Sequence, residues 1–310
     1  ASHYFFFHSV SKLFRGWIER LDRERFEVIV YDFNTGAPDG WATAIGNAAA
    51  HVRRNVGDAA GWAKQIAADR LDVLVYPEIG METVAVRLAC LRLAPVQCVA
   101  WGHPVTTGLP EIDFFLSSAL MEPGDGDSHY TERLVRLPNL SICYSPIATD
   151  TAARSRTSLG FDADDVVFVS CQSLYKYLPR FDGVFPAIAS REPKARFLFL
   201  ADAHSHTTER FKSRLARAFA SAGLEAGRHV VIADRVPPAE FPSLLKAGDI
   251  YLDSLGWSGG NTSLEAATVG LPIVTLPGSL MRSRHTAASL WQMGLDRYVA
   301  RDIAGYVGRA

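Results

Sequence analysis

Short apolar runs alternate along the chain with longer segments in which apolar residues recur at helical spacing. In the first half, the apolar runs predict buried strands at 26–31, 72–76, 95–100, 112–116 and 134–137, with a strand tail at 4–7. Amphipathic spacing predicts helices at 11–21, 42–50, 59–68 and 83–93, the second of them ending at His51. Strands that alternate with helices in this way are typical of a parallel sheet covered by helices.

The second half repeats the alternation after a polar, unpatterned stretch at 146–158, which we interpret as a linker. Its predicted strands are 166–169, 195–200, 229–232, 250–252 and 273–276. Its predicted helices are 181–190, 207–222, 238–247, one that opens at Asn261, and 281–293. A chain of 310 residues accommodates two domains of ordinary size. The pattern therefore predicts an α/β protein with two doubly wound domains, residues 1–148 and 149–310.

Composition narrows the class of protein without identifying it. Hydrophobic residues make up 48% and charged residues 21%, as in a soluble globular protein. The net charge of −1 gives no sign of a nucleic-acid partner or a membrane surface. The nine histidines show no metal-ligand spacing, so we expect neither a metal nor a cofactor.

The cysteines indicate a cellular compartment, and the start of the chain indicates whether it is part of a longer protein. The four cysteines lie in or beside apolar runs, and we expect reduced core thiols of a cytoplasmic protein: Cys90, Cys98, Cys143 and Cys171. No apolar run reaches the length of about 18 residues that a membrane span needs. The chain opens at Ala1 without an initiator methionine, and we expect it to be part of a longer protein.

A glycine-rich turn at 256–260 separates a predicted strand from a predicted helix and is a candidate anion site. A helix N-terminus has unpaired N–H groups and a partial positive charge, and glycines allow a phosphate to approach the backbone. Thr262 and Ser263 can offer hydroxyls to phosphate oxygens, and Glu265, expected in the first turn, suits a ribose diol. The alternative is an ordinary helix cap preceded by a turn, and spacing alone does not decide between the two.

A second candidate site is the loop WGHPVTTG at 101–108, which directly follows a predicted strand. Ligands of open α/β sheets bind outside the carboxyl ends of the strands. Because the chain lacks a GxxxxGK[ST] loop and a clear GxGxxG turn, ATPase and dinucleotide-binding functions receive little support.

Four segments together resemble glycosyltransferase family 41, the O-linked N-acetylglucosamine transferases, in particular their bacterial relatives with tetratricopeptide repeats. The segments are PVQCVAWGHPVTTGLPEIDFFLSS (95–118), QSLYK (172–176), GGNTSLEAATVGLPIVTLPG (259–278) and MRSRHTAASL (281–290). The resemblance implies the GT-B fold, two facing Rossmann-like domains with the active-site cleft between them. It also implies transfer of a sugar from a nucleotide diphosphate to protein side chains without a metal. The first domain would form the acceptor side, truncated at its start, and the second the donor site.

The resemblance implies roles for individual residues. Lys176 matches the family lysine that contacts the donor diphosphate; without the motif, a solvated surface lysine is the simpler interpretation. The implied donor-binding set is Gln172, Gly260, Asn261, Thr262, Ser263, Glu265 and His285. His285 has a plain alternative as part of a solvated basic helix start.

Two histidines complete the implied catalytic set with Lys176. His8 matches the family histidine beside the sugar and the acceptor, where an imidazole could help to remove the acceptor proton. His51 matches another histidine considered for that role, although alone it reads as a helix-end or core residue. The implied sugar and acceptor pocket contains Gly102, His103, Pro104 and Thr106, where a packing role for His103 is the alternative.

The resulting hypothesis is a metal-independent, inverting transfer of N-acetylglucosamine from UDP-N-acetylglucosamine to Ser/Thr hydroxyls of a protein. In the intact protein, tetratricopeptide repeats would precede this chain. Alternatives with the same fold are N-glucosyl transfer, transfer of a nonulosonic acid, or a non-catalytic module that binds a nucleotide sugar or a protein. A nucleotide-sugar 2-epimerase also shares the fold, and the loop at 101–108 argues against it.

Overall fold

The computed structural model describes residues 1–146 and 151–310, and the chain divides into two compact units, Ala1–Ser145 and Pro146–Ala310. The predicted domain boundary between residues 148 and 149 lies outside the described residues, as does part of the predicted linker at 146–158. Both stay predictions.

The first unit contains two parallel sheets and four helices. Its strands are β1 (Ile29–Tyr31), β2 (His51–Arg53), β3 (Val73–Tyr76), β4 (Val96–Ala100), β5 (Phe114–Ser118) and β6 (Arg133–Leu137). Its helices are α1 (Ser9–Glu19), α2 (Gly40–Asn47), α3 (Ala59–Ala68) and α4 (Thr83–Ala89). Strands β1 and β2 form a two-stranded sheet, and β3-β4-β5-β6 form a four-stranded sheet in sequential order. The predicted α/β class with parallel strands is confirmed for this unit.

The second unit contains one five-stranded parallel sheet with the order β11-β10-β7-β8-β9. Its strands are β7 (Val166–Val169), β8 (Ala195–Leu200), β9 (Val230–Ala233), β10 (Ile250–Leu252) and β11 (Ile273–Val274). Its helices are α5 (Val184–Arg191), α6 (Ser205–Ser221), α7 (Ala226–His229), α8 (Phe241–Leu245), α9 (Asn261–Thr268), α10 (His285–Gln292) and α11 (Ile303–Arg309). The first strand in sequence, β7, lies at the centre of the sheet.

Successive side chains of the central strands enter two different hydrophobic clusters. Phe168 and Phe197 belong to one cluster, whereas their neighbours Val167, Val169 and Leu198 belong to the other. Successive residues of a strand point to opposite faces, so both faces of this sheet are buried. This explains why β7 is apolar throughout, why β8 is apolar except for Arg196, and why both were predictable from their sequence.

Helices α2 and α3 begin where an acidic side chain can cap them. The Asp39 carboxylate accepts a hydrogen bond from the Ala42 N–H at 2.8 Å, and the Asp58 carboxylate accepts one from the Gly61 N–H at 2.9 Å. Each bond satisfies a donor that the helix leaves unpaired. Caps of this kind explain the start of α3 at Ala59, as predicted.

Several predicted elements differ from the structure. Residues 4–7 form no strand; the pairing nearby is a single bridge between Ser2 and Asp32. His51 begins strand β2 rather than ending a helix. The predicted helix at 281–293 is interrupted at Arg284, where a 3₁₀ turn ends and α10 starts. Helix α11 lies at the end of the chain, where the sequence indicated a helical start without bounds.

The four cysteines all lie in the described residues and are free thiols. Cys98 and Cys171 are buried as predicted, whereas Cys90 is exposed. In the described part of the chain, no helix is both long and apolar enough to span a bilayer.

We predict that Phe115→Ala lowers the free energy of unfolding of the first unit by about 3–5 kcal/mol, because the ring is fully buried in β5. The matched control is Phe26→Ala in the same unit, whose ring is 46% exposed and whose truncation should change stability by less than about 1 kcal/mol. Urea denaturation followed by tryptophan fluorescence measures both. Equal losses in the two variants would contradict the assignment of Phe115 to the core.

Candidate functional site

In the second unit, the predicted donor residues lie at the carboxyl edge of the parallel sheet. The 3₁₀ turn Leu174–Lys176 follows β7, and the glycine-rich loop leads from β10 into α9. Because β7 and β10 are parallel neighbours, the segments that follow them meet at the same edge. Contacts between the two segments, described next, define the candidate site.

The Lys176 ammonium is held between these segments. Its Nζ donates to the Gln172 side-chain oxygen at 3.1 Å and to the Ser258 carbonyl at 3.3 Å. Burial lowers the pKa of Lys176 to about 8, and the nearby Asp253 carboxylate opposes that shift. The side chain is therefore a fixed, half-buried cation, and the surface-lysine alternative is wrong.

The two glycines before α9 have different reasons to be glycine. A Cβ at Gly259 would overlap the Ser263 hydroxyl and the Gln172 side-chain nitrogen, so any other residue there would displace these two side chains. A Cβ at Gly260 would meet nothing nearer than His285 Nδ1 at 4.0 Å. Gly260 is the N-cap of α9 and provides no side-chain cap. A ligand can therefore approach the backbone at Gly260, beside an N-terminus that attracts anions.

The hydroxyls predicted to bind phosphate already take part in protein hydrogen bonds. Ser263 is buried, and its hydroxyl pairs with that of Thr286 at 2.7 Å. Thr262 accepts from the Gln172 amide, so its own O–H stays a donor. Thr262 thus fits a ligand contact better than Ser263, which joins α9 to α10.

Two further members of the predicted donor set lie on α9. Asn261 is the first helical residue, after the N-cap position. Glu265 is the fifth residue of α9 and is half-buried, so its predicted position in the first turn is wrong. Its carboxylate lies one turn beyond the N-terminus.

His285 opens α10 and is only 5% exposed. Burial lowers its pKa to about 3, and the Lys176 cation adds to the effect. The imidazole is therefore neutral at physiological pH and contributes polarity rather than charge. Its Nε2 lies 3.3 Å from the Met281 sulfur, so the alternative of a solvated basic helix start is wrong for this residue.

Asp253 was missed by the sequence analysis. It directly follows β10, and its carboxylate accepts from Ser258 Oγ, Thr275 Oγ1 and the Gly259 N–H, each at 2.7 Å. Burial raises the pKa of Asp253, and these three donors oppose the shift. The signal that could have identified it is an acidic residue placed directly after a buried strand and before the glycine-rich turn.

In the first unit, His8 is the N-cap of α1. Its Nδ1 accepts a hydrogen bond from the Val10 N–H at 3.2 Å, and its ring stacks on Tyr4 with centroids 4.2 Å apart. Burial lowers its pKa to about 4, with smaller effects of His3 and Lys12. The ring is therefore neutral, and because Nδ1 is an acceptor, Nε2 carries the proton. In this tautomer, Nε2 donates a hydrogen bond and cannot accept a proton.

The other predicted histidine of the catalytic set lies on the surface. His51 is exposed in β2, and its Nε2 lies 3.1 Å from Glu27, which is also exposed. His51 and Glu27 therefore form an exposed surface pair, which gives no direct support to a catalytic role for His51.

The loop at 101–108 is fixed by backbone packing and one buried carboxylate. The Gly102 N–H donates to the Pro77 carbonyl at 3.0 Å, and a Cβ at Gly102 would overlap that oxygen. The Thr106 hydroxyl donates to Glu132 at 2.7 Å, as does the Thr107 N–H. Glu132 was missed by the sequence analysis, and the hydroxyl of Thr106, predicted for the pocket, bonds to the protein.

For His103 and Pro104, the other loop residues predicted for the sugar and acceptor pocket, the structure does not test that role. The His103 ring lies beside Gly80, where a Cβ would be 3.0 Å from the ring edge. This contact agrees with the packing alternative. Pro104 is half-buried. Among the described residues, no three or more His, Cys, Asp or Glu side chains cluster in a way that could hold a metal ion.

We predict that His8→Ala lowers the free energy of unfolding by about 1 kcal/mol, because the N–H of Val10 loses its acceptor. In the matched variant, His8→Asn, the amide oxygen replaces Nδ1 as the cap, so most of that stability should be retained. Chemical denaturation of both variants makes the comparison. A loss in His8→Asn as large as in His8→Ala would show that the cap is not what His8 contributes to stability.

Comparison with known proteins agrees with the geometry. The family model described as glycosyl transferase family 41 matches residues 143–310. A Solanum lycopersicum protein named as a probable UDP-N-acetylglucosamine–peptide N-acetylglucosaminyltransferase, SPINDLY, is 30% identical over 319 residues, covering 99% of this chain and 33% of that protein. A UDP-glucose:protein N-β-glucosyltransferase of Actinobacillus pleuropneumoniae is 24% identical over 241 residues, covering 77% of this chain and 37% of that protein. The chain thus spans about a third of the length of these curated relatives.

Solved structures show the same architecture. A mutant of the O-GlcNAc transferase of Thermobaculum terrenum superposes with a TM-score of 0.84 at 27% identity, over 99% of this chain and 57% of that one. Anabaena HepE in complex with UDP and glucose gives a TM-score of 0.58 at 13% identity, over 99% and 86% of the two chains, which is a likeness of fold alone. The predicted GT-B class is confirmed by these matches. Family model, relatives and fold agree, and the chain belongs to glycosyltransferase family 41.

Proposed function

We propose that the protein to which this chain belongs transfers N-acetylglucosamine from UDP-N-acetylglucosamine to serine or threonine hydroxyls of a protein. Family membership and the names of the plant and Thermobaculum relatives support the reaction class. The observation that carries the proposal is the Lys176 ammonium, held beside the glycine-rich N-terminus of α9.

The donor diphosphate, in this proposal, binds between Lys176 and Gly260. The ammonium and the N–H groups at the start of α9 both favour negative charge at that place. Gln172 orients the ammonium and Thr262 through its two amide atoms. In this proposal the Thr262 hydroxyl, which also contacts the Tyr251 side chain, donates to a phosphate oxygen.

The proposed reaction is a single inverting displacement. The acceptor oxygen forms a bond to the anomeric carbon as the bond from that carbon to the β-phosphate oxygen breaks, and the electron pair leaves with UDP. Charge therefore develops on the diphosphate, where Lys176 and the helix N-terminus stabilise it. We propose that these two groups supply the positive charge without a metal ion.

The proton of the acceptor hydroxyl must pass to a base. His8 in its observed tautomer presents N–H at Nε2, so we propose that it donates a hydrogen bond to the sugar or the acceptor rather than serving as that base. The residue that accepts the proton stays unassigned.

Several features of the whole protein belong to the same proposal. We propose that its acceptor is a protein, that tetratricopeptide helices precede the present chain and bind that acceptor, and that the two units correspond to predicted domains 1–148 and 149–310. We also propose a cytoplasmic setting, in which four free thiols are stable.

A second candidate function uses the same site with a different sugar donor and a different acceptor residue. The Actinobacillus relative is named for transfer of glucose to protein nitrogen, so a hexose donor and an asparagine acceptor are supported by one comparison. The mass of the transferred sugar separates the two candidates, and fragmentation of the modified peptide identifies the acceptor residue.

We predict that Lys176→Ala lowers the rate of sugar transfer by about 10²–10³-fold, because the leaving diphosphate loses its cation. Full-length protein would be incubated with UDP-N-acetylglucosamine or UDP-glucose and a library of peptides that contain Ser, Thr or Asn, with products read by mass spectrometry. The control is Lys212→Ala, an exposed lysine on α6 of the same unit, which should transfer at the wild-type rate. Undiminished transfer by Lys176→Ala would refute the proposed site.

We also predict that kcat/KM for the donor falls as the pH rises through about 8, the pKa of Lys176. A lysine with a lowered pKa is cationic below that pH and neutral above it, so donor capture is lost on the alkaline side. In the variant Lys176→Arg, whose side chain stays charged, the decline should move to higher pH even if the maximum rate is lower. A wild-type profile that stays flat to pH 10 would contradict the role of the cation.

A further inference from the structure

Asp253 is buried against the glycine-rich loop and hydrogen-bonds to it. It is 3% exposed, and its carboxylate is surrounded by donors from three directions: the loop side chain Ser258, the loop backbone at Gly259, and Thr275 at the end of β11. A carboxylate is a pure acceptor when ionised, and this arrangement satisfies it as an anion. An ionised group at this depth needs a compensating positive charge or strong hydrogen bonds.

The same contacts determine where the loop lies. Ser258 donates to Asp253 through its hydroxyl, and that hydroxyl accepts from the Thr286 N–H at 3.0 Å, which ties the loop to α10. The carbonyl of Ser258 is in turn an acceptor for Lys176. The Asp253 carboxylate therefore holds Ser258 in place, and with it the Ser258 carbonyl oxygen that accepts from the Lys176 ammonium.

The carboxylate also acts on Lys176 through charge. The titratable groups around the ammonium come from three sources: Asp253 after β10, Tyr251 within β10, which hydrogen-bonds to Gln172, and His285 at the start of α10. His285 and Tyr251 are neutral at physiological pH because burial lowers the pKa of the first and raises that of the second. Asp253 is the acidic member of this set: burial raises its pKa, and the donors from Ser258, Gly259 and Thr275 favour its ionised form.

We propose that Asp253 is the positioning residue of the donor site: it holds the loop Ser258–Gly260 in place and keeps the Lys176 side chain cationic. The inference rests on the proposed function for its consequence, which is binding of a nucleoside diphosphate. The two effects are separable. Ser258 takes part only in holding the loop, whereas the effect on the charge of Lys176 depends on the charge of Asp253 alone.

The charge effect is tested without a ligand. Trace acetic anhydride labels neutral amines, so the labelling of Lys176 as a function of pH, read by mass spectrometry, reports the titration of its ammonium. The wild-type midpoint is expected near pH 8. In Asp253→Asn it should move down by about one pH unit, because an opposite charge has been removed.

Two variants control for loss of structure. Asp182→Asn removes another buried carboxylate of the same unit, one that accepts from Arg214 Nη2 at 2.6 Å, and should lower stability without moving the midpoint. Ser258→Ala keeps the charge of Asp253 and removes the loop contact, so its midpoint should stay in place. UDP affinity of Ser258→Ala should fall about fivefold, the factor typical of one lost hydrogen bond.

Each outcome decides something. An unchanged Lys176 midpoint in folded Asp253→Asn would overturn the charge role, and unchanged UDP affinity in Ser258→Ala would overturn the positioning role. If Asp253→Asn does not fold, the Ser258→Ala titration still decides the positioning role. If the wild-type protein itself binds no UDP, the proposed function fails, while the labelling experiment still tests the link between Asp253 and Lys176.

Discussion

Parallel pairing of β7 with β10 is the constraint on which the candidate site depends. Val169 pairs with Tyr251 near the ends of these strands, so both strands deliver their following segments to one edge of the sheet. The segment after β7 carries Gln172 and Lys176, and the segment after β10 carries Asp253 and the glycines. Residues about 80 positions apart in sequence therefore hydrogen-bond to each other, as Lys176 does to Ser258.

Burial then sets the charge of each group at that edge. It lowers the pKa of Lys176 and of His285, but the lysine starts from a much higher value and stays cationic at neutral pH, whereas the histidine becomes firmly neutral. In the first unit, His8 is neutral for the same reason. The second unit therefore presents a cation and a helix N-terminus, and the first presents a neutral histidine that donates through Nε2. This distribution suits stabilisation of an anionic leaving group better than proton abstraction by His8.

The strands most fully buried were the easiest to predict. The predicted bounds of β7, β8 and β10 are those of the structure, because strands covered on both faces are almost continuously apolar; Arg196 in β8 is the exception. Half-exposed segments were harder: β2 carries the exposed His51 and was assigned to a helix end. The motifs located the loops that follow the strands, whereas Asp253 and Glu132, which hydrogen-bond to those loops, depend on contacts between segments that local spacing does not reveal.

The measurement that tests the central claim most directly is calorimetric titration of the wild-type protein and Lys176→Ala with UDP, UDP-N-acetylglucosamine and GDP at neutral pH. The account predicts saturable binding of both uridine nucleotides to the wild type, at least tenfold weaker binding to the variant, and little binding of GDP. The factor of ten corresponds to about 1.4 kcal/mol, a modest value for a charge-assisted hydrogen bond to phosphate. Equal UDP affinity in the two proteins would contradict a donor site at Lys176, and preference for GDP would contradict the proposed donor.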